Sequence, residues 1–227
     1  MEREMAIKAV VFDIGNVLVG FDWMNFMRSR FDETTVEAVN RAMWESGIWN
    51  EMDRGILNEE EILDEMTARA PEYAPQIREA YYGCGSCITR KDYAIPWIEE
   101  LKARGYRVLF LSNYSEHVKS LNPEALDFLP HMDGGVWSCD TGLVKPFRKI
   151  YRILMEKYSL APSEWVFLDD NPANIAAARG LGIPGILFQK TDPGASKAEL
   201  EAVLAEDGLP TENGLLAENG LSEGSRP

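Results

Sequence analysis

Five short runs rich in Val, Ile, Leu and Phe constrain this chain most: Lys8–Phe12, Arg107–Leu111, Gly135–Ser138, Trp165–Leu168 and Gly185–Phe188. None alternates cleanly between apolar and polar residues. Near-continuous apolar runs of this length are what parallel strands covered on both faces require. Helical segments separate most of them. Ile95–Arg104 stops at Gly105, a C-terminal capping glycine just before a strand. Phe147–Tyr158 precedes another strand. Asn171-Pro172 offers an N-cap followed by a first-turn proline, and Ser196-Lys-Ala-Glu199 reads as a capping box opening the last helix. This alternation predicts an α/β fold, a doubly wound Rossmann-like sheet.

One interval breaks the pattern. Roughly ninety residues follow the first strand with no convincing second one, far beyond the 2–6 residues of an ordinary βα connection. Helical patterns occupy Trp23–Arg30, Thr35–Glu45, Glu59–Ala70 and Gln76–Tyr82, and aromatic residues are frequent. The interval is therefore expected to be an inserted helical subdomain, placed over the ligand crevice at the carboxyl ends of the strands. The expected division is a core formed by 1–15 and 92–206, a helical cap at 16–91, and a loose Gly-, Glu- and Asn-rich tail at 207–227.

Acidic residues outnumber basic ones, 37 to 23, for a net charge of −14. With no Lys/Arg cluster, the chain is expected to repel nucleic acid and anionic membrane surfaces, so neither is an expected partner. No apolar run reaches the ~18 residues of a membrane span. The N-terminal residues lack the features of a signal peptide. Three cysteines cannot all pair. Cys84-Gly-Ser-Cys87 lacks the second half of a zinc site and reads as buried or hinge thiols, with Cys139 in the core. A cytoplasmic monomer or homodimer is the expectation.

Four short motifs fall where such a sheet places its site. Val10-Val11-Phe12-Asp13-Ile14-Gly15-Asn16 ends a strand on a carboxylate and follows it with a glycine that admits close backbone approach. Leu111-Ser112-Asn113 ends another on a hydroxyl and an amide, both able to donate to phosphate oxygens. Val144-Lys145-Pro146 presents a lysine at a helix start, a position that disfavours a cation unless an anion is near. Leu168-Asp169-Asp170-Asn171, with Asn174 one turn on, sets two carboxylates side by side, a repulsion that a metal ion or a lysine relieves.

In this order and spacing the motifs resemble those of the haloacid dehalogenase-like hydrolases over roughly residues 6–20 and 92–206. Phe-Asp-Ile-Gly-Asn-Val-Leu-Val and Ser46–Gly55, followed by Glu59–Glu61, resemble more narrowly the branch of bacterial sugar-phosphate phosphatases with DxGN in the first motif. The resemblance implies a nucleophile at Asp13, which forms an aspartyl-phosphate. It implies Mg2+ held by Asp13, Asp170 and the Gly15 carbonyl. Ser112, Asn113 and Lys145 would take the phosphate, with Asp169 and Asn174 in support. The combined reading is a five-stranded parallel sheet of order 5-4-1-2-3, counting strands along the chain.

The second residue after the nucleophile in most phosphatases of this family is an aspartate that acts as acid and then base. Here it is Gly15, so the first step has no obvious proton donor, and such help is worth ~10²–10⁴-fold. Its loss costs least with a good leaving group, which favours a sugar 1-phosphate or similar ester. The retained acidic pair argues against carbon–halogen chemistry, which needs no metal. Asn16 and Trp23 are candidate pocket residues, Arg54-Gly55 reads as a turn or a loop reaching the substrate, and His117 as a helix-surface residue. The expected activity is Mg2+-dependent hydrolysis of a small phosphometabolite. Alternatives are a nucleotide or flavin mononucleotide phosphatase, or a weakly catalytic phosphate-binding regulator.

Overall fold

The computed structural model describes residues 7–208. Along them run β1 (Ala9–Phe12), β2 (Val19–Phe21), α1 (Trp23–Arg28), α2 (Glu33–Asn40), α3 (Ile48–Arg54), α4 (Glu59–Arg69), α5 (Ala74–Gly83) and β3 (Ile88–Arg90). Strict alternation follows: α6 (Ala94–Ala103), β4 (Arg107–Ser112), α7 (Glu116–Leu121), β5 (Gly134–Trp137), α8 (Arg148–Tyr158), β6 (Trp165–Asp169), α9 (Pro172–Arg179), β7 (Gly185–Leu187) and α10 (Pro193–Gly208).

Five strands form a parallel sheet of order β5-β4-β1-β6-β7. This is the expected order read from the opposite edge. The continuous apolar runs have a direct cause. On β1, Val10 and Phe12 enter one hydrophobic cluster while Ala9 and Val11 enter the other. Val108 and Phe110 divide from Leu109 and Leu111 in the same way on β4. Both faces are covered, so each large side chain contributes about 1.5–3 kcal/mol of burial, and the interior positions of these two strands carry no polar residue.

Register then sets the site. Phe12 on the central strand pairs with Phe110 and with Leu168. The residues that follow, Asp13, Leu111-Ser112 and Asp169, therefore leave the sheet at one edge, the carboxyl edge.

The insert differs from expectation in three respects. β2 and β3 pair as a two-stranded antiparallel sheet, Val19 opposite Arg90 and Phe21 opposite Ile88. Each has only three residues, too few to display a period in sequence. The helix expected at Thr35–Glu45 ends at Asn40 and continues as a π-turn over Arg41–Glu45. α3 went unforeseen because it is short; Gly47 and Gly55 bound it with φ of 81° and 66°. Trp44 and Trp49 stack at 4.0 Å, and Trp23 packs edge-on against Trp44, so the aromatic residues form the insert's own core.

Ser196 does not cap the last helix, which begins earlier, at Pro193. Its hydroxyl instead accepts from Gln189 N, and Asp192 accepts from Ala195 N. Residues 207 and 208 belong to that helix, and the remainder of the expected tail lies outside the described residues. Cys84 and Cys87 are buried, and burial pushes both thiols up to about 12. Cys139 is half-buried rather than in the core. His117 is no surface residue: it stacks on Tyr81 at 3.8 Å, between α5 and α7. Among the described residues no helix is long and apolar enough to cross a membrane.

Candidate active site

Asp13 leaves β1 into a converging set of donors. Its Oδ1 accepts from its neighbour Ile14 N at 2.7 Å, from Ser112 Oγ at 2.7 Å, and lies 2.9 Å from Lys145 Nζ. All three fall on one oxygen, which leaves Oδ2 outside the clamp. Burial pushes the Asp13 carboxyl up to about 7, against the pull of Lys145 and with a further push from Asp169.

Lys145 is itself buried, its Nζ 2.6 Å from Asp169 Oδ2. Burial alone would lower its ammonium, but Asp13 and Asp169 outweigh that and hold it above the ordinary lysine range. Its backbone is held by Asn113, whose Oδ1 accepts from Lys145 N at 2.8 Å while Nδ2 donates to Lys145 O at 3.0 Å. The Asn113 amide, expected on the phosphate, is thus committed at both ends to placing the lysine. Ser112, fully buried, stands on the nucleophile side.

Asp169 is wholly enclosed. Asn174 Nδ2 donates to both of its oxygens, at 3.0 and 2.9 Å, and Asn171 N donates to Oδ1 at 2.8 Å. With Lys145 on Oδ2, neither oxygen is free. Asp170, by contrast, faces outward: its Oδ2 receives Asn16 Nδ2 at 3.2 Å and the exposed Lys190 Nζ at 3.2 Å. Asn16, in the left-handed region at φ 58°, therefore serves Asp170. Trp23 belongs to the aromatic cluster of the insert, with its Nε1 on Asn40 Oδ1 at 3.2 Å, away from the cleft.

These residues suit a hard divalent cation. Carboxylate oxygens of Asp13, Asp169 and Asp170 lie within 4.8 Å of one another. Three acidic groups face one buried ammonium and one exposed one, so negative charge remains over. Because Asp169 is saturated by donors, Asp13 and Asp170 are the carboxylates with oxygens to offer, with the Gly15 backbone between them in sequence. Oxygen-only donors select Mg2+ over softer metals.

A cleft of about 470 Å³ opens beside Lys145. Val144, Pro146 and Phe147 line it from the core, and Ile48, Asn50, Glu51 and Arg54 line it from α3. Arg54 reaches across the boundary, its Nε donating to Gly142 O at 3.2 Å.

Sequence reasoning missed Asp53. It lies on the buried side of α3 with Ile48, Trp49 and Met52 and is only 7% exposed. Burial, helped by the charge of Asp13 and opposed by Lys145, pushes its carboxyl up to about 8. The signal available was an acidic residue falling on an otherwise apolar helical stripe.

A profile of the haloacid dehalogenase-like hydrolases matches residues 7–182. Acyl-CoA dehydrogenase family member 10 of Mus musculus is 30% identical over 214 residues, covering 87% of this chain but 19% of that protein. The chain spans only about a fifth to two-fifths of the first curated relatives it matches. D-ribitol-5-phosphate phosphatase of Bacteroides thetaiotaomicron is 25% identical, covering 87% of this chain and 98% of that one. Among solved structures, a family enzyme of Bacteroides thetaiotaomicron in complex with magnesium and inorganic phosphate superposes with TM-score 0.63 at 19% identity, covering 82% of this chain and 96% of the other.

Proposed function

The chain belongs to the haloacid dehalogenase-like hydrolases, and from that premise we propose that it is a Mg2+-dependent phosphatase acting on a small phosphometabolite through an aspartyl-phosphate at Asp13. The observation that carries this reading is the three-donor clamp on Asp13 Oδ1, with Oδ2 left outside it.

Oδ2 is the attacking oxygen, and the clamp fixes its direction before substrate arrives. Phosphoryl transfer asks mainly for such positioning and for charge stabilisation. Lys145, placed by Asn113 and Asp169, meets the charge on the phosphate. Ser112, which now donates to Asp13, has a hydroxyl within reach of both the nucleophile and an incoming phosphate oxygen. Mg2+ held by Asp13, the Gly15 carbonyl and Asp170 would screen the carboxylates from the phosphate. Residues 16–91 act as a cap that closes over the cleft and excludes bulk water, while 92–206 and the described part of 1–15, from Ile7 onward, form the catalytic core.

A sugar phosphate, such as a sugar 1-phosphate, is the favoured substrate class. The cleft offers Asn50, Glu51 and Arg54 to hydroxyl groups, beside the apolar surface of Ile48 and Phe147. The similarity to a ribitol-phosphate phosphatase supports a polyol or sugar body. The test is release of inorganic phosphate from p-nitrophenyl phosphate and a panel of sugar phosphates, with and without Mg2+. Turnover that needs Mg2+ supports the proposal. Tight phosphate binding without turnover would instead favour a regulatory binding protein.

A further inference from the structure

The cleft beside Lys145 runs against the charge of the chain. Acidic residues outnumber basic ones by 37 to 23 overall, yet the charged side chains lining the cleft are Arg54, Arg69 and Lys145 against Glu51 alone. Lys145 is committed to Asp13 and Asp169. Glu51 is taken up by Arg54, whose Nη1 donates to its two oxygens at 3.3 and 3.2 Å. That leaves Arg69, on the last turn of α4, whose acidic partner Glu65 lies outside the cleft and is more than half exposed.

Only part of the Arg69 guanidinium is engaged. Nη1 donates to the Glu65 backbone carbonyl and, at 2.7 Å, to Glu65 Oε2. Among the described residues, Nε and Nη2 have no hydrogen-bond partner. These two groups share one edge of the guanidinium, with parallel N–H bonds spaced to meet two oxygens of a carboxylate or phosphate. Ser46 and Arg69 also line a second recess of about 380 Å³, walled entirely by the insert. Arg69 therefore stands at the insert end of the cleft and Lys145 at its core end.

Three contacts hold the two walls at a fixed spacing. Ser138 Oγ donates to the backbone carbonyl of Asp53, and Arg54 Nε donates to Gly142 O at 3.2 Å. Gly55 sits against the core so closely that a Cβ would lie 2.8 Å from Cys139 O. Each partner belongs to the segment after β5, so the end of α3 is strapped to the core rather than hung over it.

We propose, resting on the phosphatase reading above, that Arg69 is a specificity-determining residue: its Nε–Nη2 edge takes a second anionic group, carboxylate or phosphate, on the body of a sugar phosphate whose reacting phosphate lies at Lys145. A cleft of about 470 Å³ has the size of a small-molecule site. An uncharged sugar leaves that edge to water, whereas an anion gains two charge-assisted hydrogen bonds from it. Discrimination therefore comes from the charge at the far end of the substrate and not from the ester that is broken.

The experiment compares kcat/KM for glucose 1-phosphate, glucuronic acid 1-phosphate and glucose 1,6-bisphosphate with Mg2+ present, following loss of the anomeric phosphate. The first two share a leaving oxygen and differ by one carboxylate. The third carries a phosphate at the same carbon and separates the two sources of anion. Wild-type kcat/KM should be at least about tenfold higher for one of the two doubly anionic esters than for glucose 1-phosphate, the worth of a hydrogen bond to a charged group. A ratio near one for both overturns the proposal. Arg69→Gln should bring the ratio to within about twofold of one, and Arg69→Lys, which keeps the charge but not the fork, should fall between. An unchanged ratio in Arg69→Gln overturns the proposal. So does an equal loss on charged and uncharged esters, the mark of a structural role, which thermal melts of each variant would register. Turnover of p-nitrophenyl phosphate with no preference among the three sugar esters, or no turnover of them, rejects the proposal while the phosphatase reading stands. Failure of the wild type to hydrolyse any ester with Mg2+ present rejects both.

Discussion

The ammonium of Lys145 lies 2.9 Å from Asp13 Oδ1, with both side chains almost wholly withdrawn from water. Asp169 shares the same ammonium at 2.6 Å. An ion cluster this deep is tolerable only while complete, because removing one partner strands an uncompensated charge.

Lys145→Met is accordingly expected to destabilise the fold by about 3–5 kcal/mol, the cost of leaving buried carboxylates unpaired. Urea unfolding with and without Mg2+ checks it. A loss under about 1 kcal/mol would show that the carboxylates take up protons at little cost, contrary to the electrostatics described.

Asp13→Asn keeps the shape of the clamp and removes the attacking carboxylate. Hydrolysis of p-nitrophenyl phosphate should fall on the order of 10³-fold or more, with an unchanged circular dichroism spectrum. Turnover at the wild-type rate would reject the nucleophile assignment.

Chelation by EDTA is expected to abolish turnover, and added Mg2+ to restore it. Asp170→Asn should raise the Mg2+ concentration for half-maximal rate by at least about tenfold. An unchanged requirement would place the metal elsewhere.

Asp53 carries a pH signature independent of catalysis. Its folded-state value is raised from 3.8 to about 8. Its stabilising contribution is therefore complete below pH 3.8 and lost as pH rises through about 8. Between pH 5 and 8 the wild type should lose stability relative to Asp53→Asn, by up to about 1.4 kcal/mol per pH unit. Paired thermal melts across that range measure it, and parallel curves would count against a buried, protonated carboxyl.

Gly55→Ala probes the strap between insert and core. The position has φ of 66°, and the added Cβ would meet Cys139 O at 2.8 Å. Left-handed backbone alone costs a non-glycine residue roughly 1–2 kcal/mol, so a lower melting temperature and a reduced kcat/KM are expected together. A fully active variant with unchanged stability would argue that the turn moves freely.

The sheet was legible because two-sided burial leaves a mark on every residue of a strand, as in Ala9–Phe12, where the two hydrophobic clusters take alternate side chains. Asp13, Asp169 and Asp170 were legible for a related reason: a carboxylate directly after such a run has no place in the core and must emerge at the sheet edge. The strands Val19–Phe21 and Ile88–Arg90 were not, since three residues cannot show a period and their pairing spans the whole insert.

Local sequence, then, determined which residues form the parallel sheet and which polar groups reach its carboxyl edge, since burial and hydrogen bonding act on each segment where it stands. Tertiary structure alone decided how those groups divide their work. Asn113 serves the lysine backbone, and Asn16 serves Asp170. Such assignments depend on distances between side chains remote in sequence, and these are fixed only when the insert packs onto the core.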